Sequence, residues 1–157
     1  MKAIFSLLVI LITSSQAKAS FFIDQSAIIK ANYARLSYGV AVTDFNQDGL
    51  VEFVVTGFGY PNLALGYVNQ HIENVIRDQT FSDPSKKTIG VTACDVDGDG
   101  TEELYLLNTD SFGGQKSFGD QLLKNHQHIE DLFDKIENQP SRNLTAGRSV
   151  ACVDRKG

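Results

Sequence analysis

The sequence predicts an all-β chain made of repeated units of about four strands, of the kind that forms β-propeller blades. The first observation is an internal repeat, in which the stretch GVAVTD at residues 39–44 returns as GVTACD at residues 90–95. A third start, SVACVD, lies at residues 149–154, and the offsets between the final aspartates are 51 and 59 residues. A period of about 50 residues is typical of propellers and related arrays. The second observation is that short runs rich in β-branched residues alternate with turn residues in each unit.

The two longer repeats each divide into four predicted strands. The first repeat spans about residues 37–80, the second about 88–137, and a third begins at about 146–157. The predicted strands are 37–43, 53–56, 63–68 and 71–76 in the first repeat, and 88–94, 104–107, 122–125 and 128–133 in the second. The last of these alternates less regularly, so a helical turn is an alternative there. We therefore expect about two blades plus the start of a third, too few to close a ring of about four to eight blades.

Residues 1–19 have the features of a secretion signal. Lys2 precedes an apolar stretch at residues 4–12, and Ala17 and Ala19 fit the small-residue cleavage pattern. The remaining residues, 20–157, contain 12 basic and 19 acidic residues, because only Lys2 and Lys18 of the 14 basic residues lie in the signal. This acidic balance argues against nucleic-acid binding, which needs clustered Lys and Arg. No second long apolar run follows, so we expect no membrane span in the mature chain.

The acidic loop that follows the first strand of each repeat predicts a calcium site. Calcium is a hard cation that takes six to eight oxygen ligands, so side-chain oxygens at alternate positions suit it. Gly49 and Gly100 stand at the sixth position of their loops and permit the sharp bend. The predicted ligands, with the seventh position contributing a backbone carbonyl, are Asp44, Asn46, Asp48, Leu50 and Glu52 in the first loop and Asp95, Asp97, Asp99, Thr101 and Glu103 in the second.

The helix–loop–helix calcium motif is excluded by the twelfth position of each loop. That motif needs a bidentate glutamate there, whereas these loops have Val55 and Leu106, both inside predicted strands. The acidic residue stands at position nine instead, so we expect hairpin loops that close with Glu52 and Glu103. A third copy starts at Asp154, but Lys156 occupies its third position and would repel a cation.

The strand, Asp-x-Asp/Asn-x-Asp-Gly loop and strand resemble the FG-GAP (VCBS) repeat of integrin α-subunit propellers and related secreted proteins. More narrowly, residues 38–44, 90–108 and 146–157 resemble the N-terminal portion of the cartilage acidic protein family, the last segment most specifically. This resemblance implies a secreted matrix glycoprotein with calcium in its blade loops and with extracellular protein or glycan partners. It also implies further repeats and a separate C-terminal domain, so we interpret these residues as an incomplete propeller.

Three other features of the sequence bear on modification, cysteine pairing and catalysis. Asn143 begins an Asn-Leu-Thr sequon and is a predicted glycosylation site. Cys94 and Cys152 are compatible either with a disulfide or with two buried thiols, because sequence gives no Cα separation. No nucleophile motif accompanies the Ser and His residues, so we expect no enzymatic activity. The alternative functions are the calcium-binding accessory propeller of a secreted hydrolase and a piece of a cell-adhesion receptor ectodomain.

Overall fold

A computed structural model describes residues 23–153 of the chain. The predicted secretion signal at residues 1–19 and the third acidic loop that starts at Asp154 lie outside the described residues. Among the helices of the described part, none has the length and apolar composition to cross a membrane.

Two four-stranded antiparallel sheets make up the fold, and each is a simple up-and-down meander. The first sheet contains β1 (Val40–Thr43), β2 (Glu52–Val55), β3 (Leu63–Val68) and β4 (His71–Asn74). The second contains β5 (Thr88–Cys94), β6 (Glu103–Asn108), β7 (Gln121–Asn125) and β8 (Ile129–Asp131). A four-residue helix, α1 (Gln79–Ser82), lies between the sheets in sequence. Four short 3₁₀ turns cover Ser26–Ile28, Pro84–Lys86, Leu132–Asp134 and Gln139–Ser141.

All eight predicted strands are confirmed, with shifts at their ends. The strand predicted at residues 128–133 is a mixture of both interpretations, because β8 ends at Asp131 and a 3₁₀ turn follows at once. The strand predicted at residues 71–76 ends at Asn74, and Ile76 beyond it turns into the core with an exposed fraction of 7%. The predicted four strands per repeat thus correspond to one sheet per repeat.

Strand register makes the two repeats equivalent residue by residue. Phe53 of β2 pairs with Leu65 of β3, and Leu104 of β6 pairs with Leu123 of β7. The recurring His-Ile-Glu-Asn/Asp stretch has a shared role at its last residue. Asn74 accepts a hydrogen bond from the Ala64 amide at 2.9 Å, and Asp131 accepts one from the Leu122 amide at 3.2 Å. The repeat in sequence therefore reflects a side chain that closes the outer hairpin of each sheet.

The two sheets lie side by side with their first strands closest together. A Cβ added at Gly39 would lie 3.0 Å from the Cα of Gly90, so a side chain at this point would separate the strands. Thr88 reinforces the contact, since its amide donates to the carbonyl of Gly57 at 3.1 Å.

A shared apolar core fills the space around and between the sheets. Its buried members are Phe45, Val54, Ala64, Ile76, Phe81, Val91, Leu104, Leu106, Leu123 and Ile129. Phe81 belongs to α1, which the strand pattern did not predict. Asp78 caps this helix by accepting from the amides of Thr80 and Phe81, and the cap holds the Phe81 ring 6.3 Å from the Phe45 ring.

Candidate metal sites in two acidic hairpins

The two acidic loops connect the first and second strands of each sheet, as predicted. We call residues 44–52 the first loop and residues 95–103 the second loop. At the sixth position, Gly49 has φ +87° and Gly100 has φ +88°. At the fourth position, Gln47 and Gly98 are also left-handed, with φ +60° and +78°. Two residues in the left-handed region fold each loop back on itself, which turns its side chains inward.

The first aspartate of each loop organises the backbone around it. Asp44 accepts from the amides of Asp48 at 3.0 Å and Gly49 at 2.9 Å. Asp95 accepts from the equivalent amides of Asp99 at 3.1 Å and Gly100 at 2.9 Å. The equal pattern shows that both sequences specify one loop geometry.

Three carboxylates converge in each loop. In the first loop, oxygens of Asp44, Asp48 and Glu52 lie within 4.8 Å of one another. In the second loop the corresponding group is Asp95, Asp97 and Asp99. Three like charges at such separations repel one another unless a cation or a proton lies between them.

Glu52 is the most enclosed member of the first group, with an exposed fraction of 1%. Its Oε2 accepts from the amides of Phe45 at 3.1 Å and Asn46 at 3.3 Å. Burial raises the pKa of Glu52, and the charges of Asp48 and Asp44 raise it further, while these two hydrogen bonds lower it. Within residues 23–153, no Lys or Arg forms an ion pair with this group. An all-oxygen donor set around an unneutralised buried carboxylate fits a hard divalent cation.

Glu103 is the equivalent of Glu52 and is equally buried, with an exposed fraction of 1%. Its Oε2 accepts from the Val96 amide at 2.9 Å. Unlike Glu52, it faces a cation, because Lys124 of β7 reaches its Oε1 at 2.9 Å. Lys124 was not among the predicted site residues.

The other predicted ligands lie in the loops with mixed roles. Asn46 accepts from the Asp48 amide at 3.0 Å, and its Nδ2 donates to Asp48 Oδ2 at 2.9 Å. Leu50 donates its amide to Asp48 at 2.9 Å, and the Thr101 hydroxyl donates to Asp99 at 2.5 Å. A ligand role for the carbonyls of Leu50 and Thr101 stays a prediction.

The first loop also contacts the second sheet. The Phe45 ring is 1% exposed and packs on Phe81. Asn125 at the end of β7 donates its side-chain amide to the Phe45 carbonyl at 2.8 Å, and Gln47 donates to the Asn125 carbonyl at 2.5 Å. The order of this loop is thereby linked to the packing of one sheet against the other.

The two cysteines are joined. Cys94 at the end of β5 forms a disulfide with Cys152, and their Cα atoms are 6.0 Å apart, within the usual range. The bond ties the start of the predicted third repeat to the second sheet. Between the two alternatives that the sequence left open, the structure therefore has the disulfide.

The sequon residue Asn143 is half-buried beside a polar network. Its Nδ2 donates to Asp120 Oδ2 at 2.8 Å and to the Thr145 carbonyl at 3.1 Å. Asp120 is fully buried, pairs with Lys116, and accepts from Tyr105 at 2.8 Å. Burial, together with the Asp120 contact, raises the pKa of Tyr105. Glycosylation at Asn143 stays a prediction.

Two of the residues that sequence reasoning missed left a weak signal in the sequence. Lys124 is the one charged residue in the otherwise uncharged strand Gln121–Asn125, which follows an acidic hairpin. Phe45 is the large apolar residue inside a polar loop, where a solvent-exposed turn would favour polar residues. Asn125 carries no comparable signal, because its role depends on the neighbouring sheet.

Comparison with known proteins agrees with this architecture. An FG-GAP-like repeat model matches residues 44–106. Cartilage acidic protein 1 of Homo sapiens is 41% identical over 160 residues, which cover 92% of this chain and 24% of the relative. The Xenopus tropicalis protein is 43% identical over 139 residues, covering 81% of this chain and 22% of the relative. The Mus musculus protein is 40% identical over 160 residues, with 92% and 25% covered.

The chain thus spans about a quarter of the length of these relatives. The matched FG-GAP-like segment begins at Asp44 and contains both acidic loops. Over most of its own length this chain is similar to the cartilage acidic proteins, and residues 44–106 match the FG-GAP-like repeat model.

Proposed function

We propose that the chain is a calcium-stabilised β-propeller segment of a secreted extracellular-matrix glycoprotein, acting as a structural and interaction module without catalytic activity. Two equivalent meanders packed side by side support the propeller, since each has the four strands of a blade. The homology to cartilage acidic proteins supports the matrix location. The partners are extracellular proteins or glycans that bind the blade surface.

One observation carries the calcium proposal. In the first loop, buried Glu52 converges with Asp44 and Asp48, and no cation among the described residues neutralises them. Burying an unpaired carboxylate is unfavourable, so a ligand that supplies positive charge stabilises the loop. The ligands we propose are Asp44, Asn46, Asp48, the Leu50 carbonyl and Glu52, and in the second loop Asp95, Asp97, Asp99, the Thr101 carbonyl and Glu103.

The role of calcium is structural. A cation bound in the first loop fixes the backbone that holds Phe45 in the core and presents its carbonyl to Asn125. Calcium therefore favours the packed arrangement of the two sheets as well as the loop itself. Extracellular modules commonly bind calcium with Kd of about 10⁻⁴ to 10⁻³ M, a range that suits the extracellular fluid.

Two features fit secretion. The Cys94–Cys152 disulfide requires an oxidising compartment. A glycan on Asn143 would replace one of the two Nδ2 hydrogens, and the remaining hydrogen could still donate to Asp120. Attachment at this position is therefore compatible with the folded polar network.

Thermal unfolding of the secreted chain in EDTA, in 2 mM calcium and in 2 mM magnesium tests the proposal. At Kd of about 10⁻⁴ M, one site adds about 1.8 kcal/mol of stability, and we expect Tm to rise by about 4 °C or more. Magnesium should give a much smaller shift, because it demands a compact octahedral site and keeps its waters. An equal Tm in EDTA and in calcium would contradict the proposed function.

A further inference from the structure

The second loop already contains a cation. The Lys124 ammonium lies 2.5 Å from Asp97 Oδ2, 2.6 Å from Asp99 Oδ2 and 2.9 Å from Glu103 Oε1. An ammonium has three hydrogens to donate, and here it faces three carboxylates. The Lys124 side chain is only 7% exposed. A lysine side chain carries a positive charge at neutral pH, so the second loop holds a counter-ion among its own carboxylates.

The first loop has no counterpart to this lysine. The pairs Phe53–Leu65 and Leu104–Leu123 are equivalent, so the residue after Leu65 corresponds to Lys124. That residue is Gly66. A Cβ built on Gly66 would lie 3.7 Å from Cγ of Glu52, so a side chain at this position borders the closing glutamate. The same strand position therefore carries a cation in the second repeat and leaves the carboxylates unpaired in the first.

We propose that Lys124 is a built-in counter-ion that sets the calcium affinity of the second loop below that of the first loop. The inference rests on the proposed function, namely that both loops bind calcium. The lysine contacts three of the carboxylates that would hold calcium in the second loop. Calcium must either displace the ammonium or bind beside it against charge repulsion, and either event weakens binding.

The consequence is a calcium response in two steps. The first loop depends on calcium for charge balance, whereas Lys124 keeps the second loop ordered when calcium is absent. As calcium rises, the first loop is occupied before the second. The residue that makes the difference lies on β7, outside the acidic loop motif.

A loop-resolved calcium titration of the full chain tests this proposal. The amide resonances of Gly49 and Gly100 report the two loops separately in ¹⁵N-labelled protein. Lys124→Met removes the charge and keeps an unbranched apolar stem. Lys135→Met is the matched control, because Lys135 is half-exposed and pairs with Glu130 at 3.2 Å, outside the loop. Lys124→Arg keeps the charge.

In the unaltered chain we expect Gly49 to respond at a calcium concentration about tenfold or more below that of Gly100. Lys124→Met should bring the Gly100 midpoint down by about tenfold, toward the Gly49 midpoint. It should also speed hydrogen exchange of the second loop in EDTA, since the carboxylates lose their counter-ion. Lys135→Met and Lys124→Arg should leave the Gly100 midpoint within about twofold.

The outcomes separate this proposal from the calcium function itself. Equal Gly49 and Gly100 midpoints in the unaltered chain would overturn the role of Lys124 while supporting calcium binding. An unchanged Gly100 midpoint in folded Lys124→Met would overturn it too. If Lys124→Met does not fold, Lys124→Gln, which keeps a polar head group without charge, gives the same comparison. No response of Gly49 at millimolar calcium would overturn the calcium function and this inference with it.

Discussion

The two acidic loops share one backbone but differ in what surrounds them. Both have a left-handed glycine at the sixth position and a buried glutamate at the ninth. In the first loop, the second position is the buried Phe45, and the residue on the neighbouring strand that borders the glutamate is Gly66. In the second loop, the second position is Val96, which is 53% exposed, and the residue that borders the glutamate is Lys124. The motif determines loop geometry, and residues on neighbouring strands determine charge balance and anchoring.

The difference extends to what each loop stabilises. The first loop reaches across to the second sheet through Phe45, Gln47 and Asn125. The second loop is held by Lys124 of its own sheet. Both repeats therefore keep the same loop conformation, but the first loop connects the two sheets, whereas the second loop is stabilised within its own sheet.

The largest expected effect is on stability, from substitutions at the second position of each acidic loop. Phe45→Ala should destabilise the protein by about 3–5 kcal/mol, because a buried ring leaves a cavity. Val96→Ala at the equivalent position should change stability by about 0.5 kcal/mol or less, since Val96 is half-exposed. Urea unfolding of both variants in EDTA measures the two losses. Equal losses would show that Phe45 does not anchor the first loop.

The next largest expected effect is on the calcium affinity of the first loop, when a ligand is removed. Asp44→Ala removes a ligand and the acceptor for the Asp48 and Gly49 amides, so we expect the first-loop affinity to fall by about 100-fold or more. The Gly49 resonance follows that site during a calcium titration. Glu102→Gln is the control, since Glu102 stands at position eight of the second loop and is exposed. A first site that survives Asp44→Ala would contradict the ligand assignment.

Without calcium, substitution of the two closing glutamates, Glu52 and Glu103, should have different effects on stability. Glu103→Gln should destabilise the protein by about 2 kcal/mol in EDTA, because Lys124 loses a buried partner. Glu52→Gln should be neutral within about 0.5 kcal/mol, because it removes an unpaired buried charge and keeps an acceptor for the Phe45 and Asn46 amides.

The same two variants reverse order in calcium. Glu52→Gln should lose most of the calcium-induced rise in Tm, whereas Glu103→Gln should keep the part that comes from the first loop. Unfolding curves of both variants in EDTA and in 2 mM calcium check this. Identical behaviour of the two variants would mean that Lys124 does not distinguish the loops.

The smallest expected effect is on stability at the sequon, where two variants distinguish loss of a glycan from loss of the hydrogen bond between Asn143 and Asp120. Asn143→Gln removes both the sequon and the donor to buried Asp120, and we expect a loss of about 1 kcal/mol. Thr145→Ala removes the sequon and the hydrogen bond from the Thr145 hydroxyl to Asn143 Oδ1, and it should cost less because that hydrogen bond is exposed. Mass spectrometry of the secreted chains should show the same missing glycan in both. A glycan mass unchanged by either variant would place modification elsewhere.

The strands and the acidic hairpins could be predicted from the sequence because both depend on local patterns. Residues 88–94 form a short run rich in β-branched residues, which predicts a strand, and Thr88–Cys94 is the observed β5. The loop conformation follows from Gly49 and Gly100, which supply the left-handed turn. These features repeat, so a single chain provides two examples of each.

The rest depends on contacts between residues far apart in sequence. The disulfide stayed open because only the fold brings Cys94 and Cys152 to a Cα separation of 6.0 Å. Lys124 is separated from Asp99 by 25 residues, and its role requires the pairing of β6 with β7. α1 has four residues, too short for helical periodicity to show, and its cap and Phe81 are recognisable only once the sheets are placed.

A crystal structure of the chain grown in millimolar calcium, with the ions located by anomalous scattering, tests most directly whether the two loops differ in calcium binding. We predict an ion in the first loop, liganded by oxygens of Asp44, Asp48 and Glu52 at about 2.3–2.6 Å. We also predict lower calcium occupancy in the second loop, with Lys124 still in contact with Asp97 and Asp99 wherever calcium is absent. An empty first loop, or a fully occupied second loop beside an empty first, would contradict both predictions.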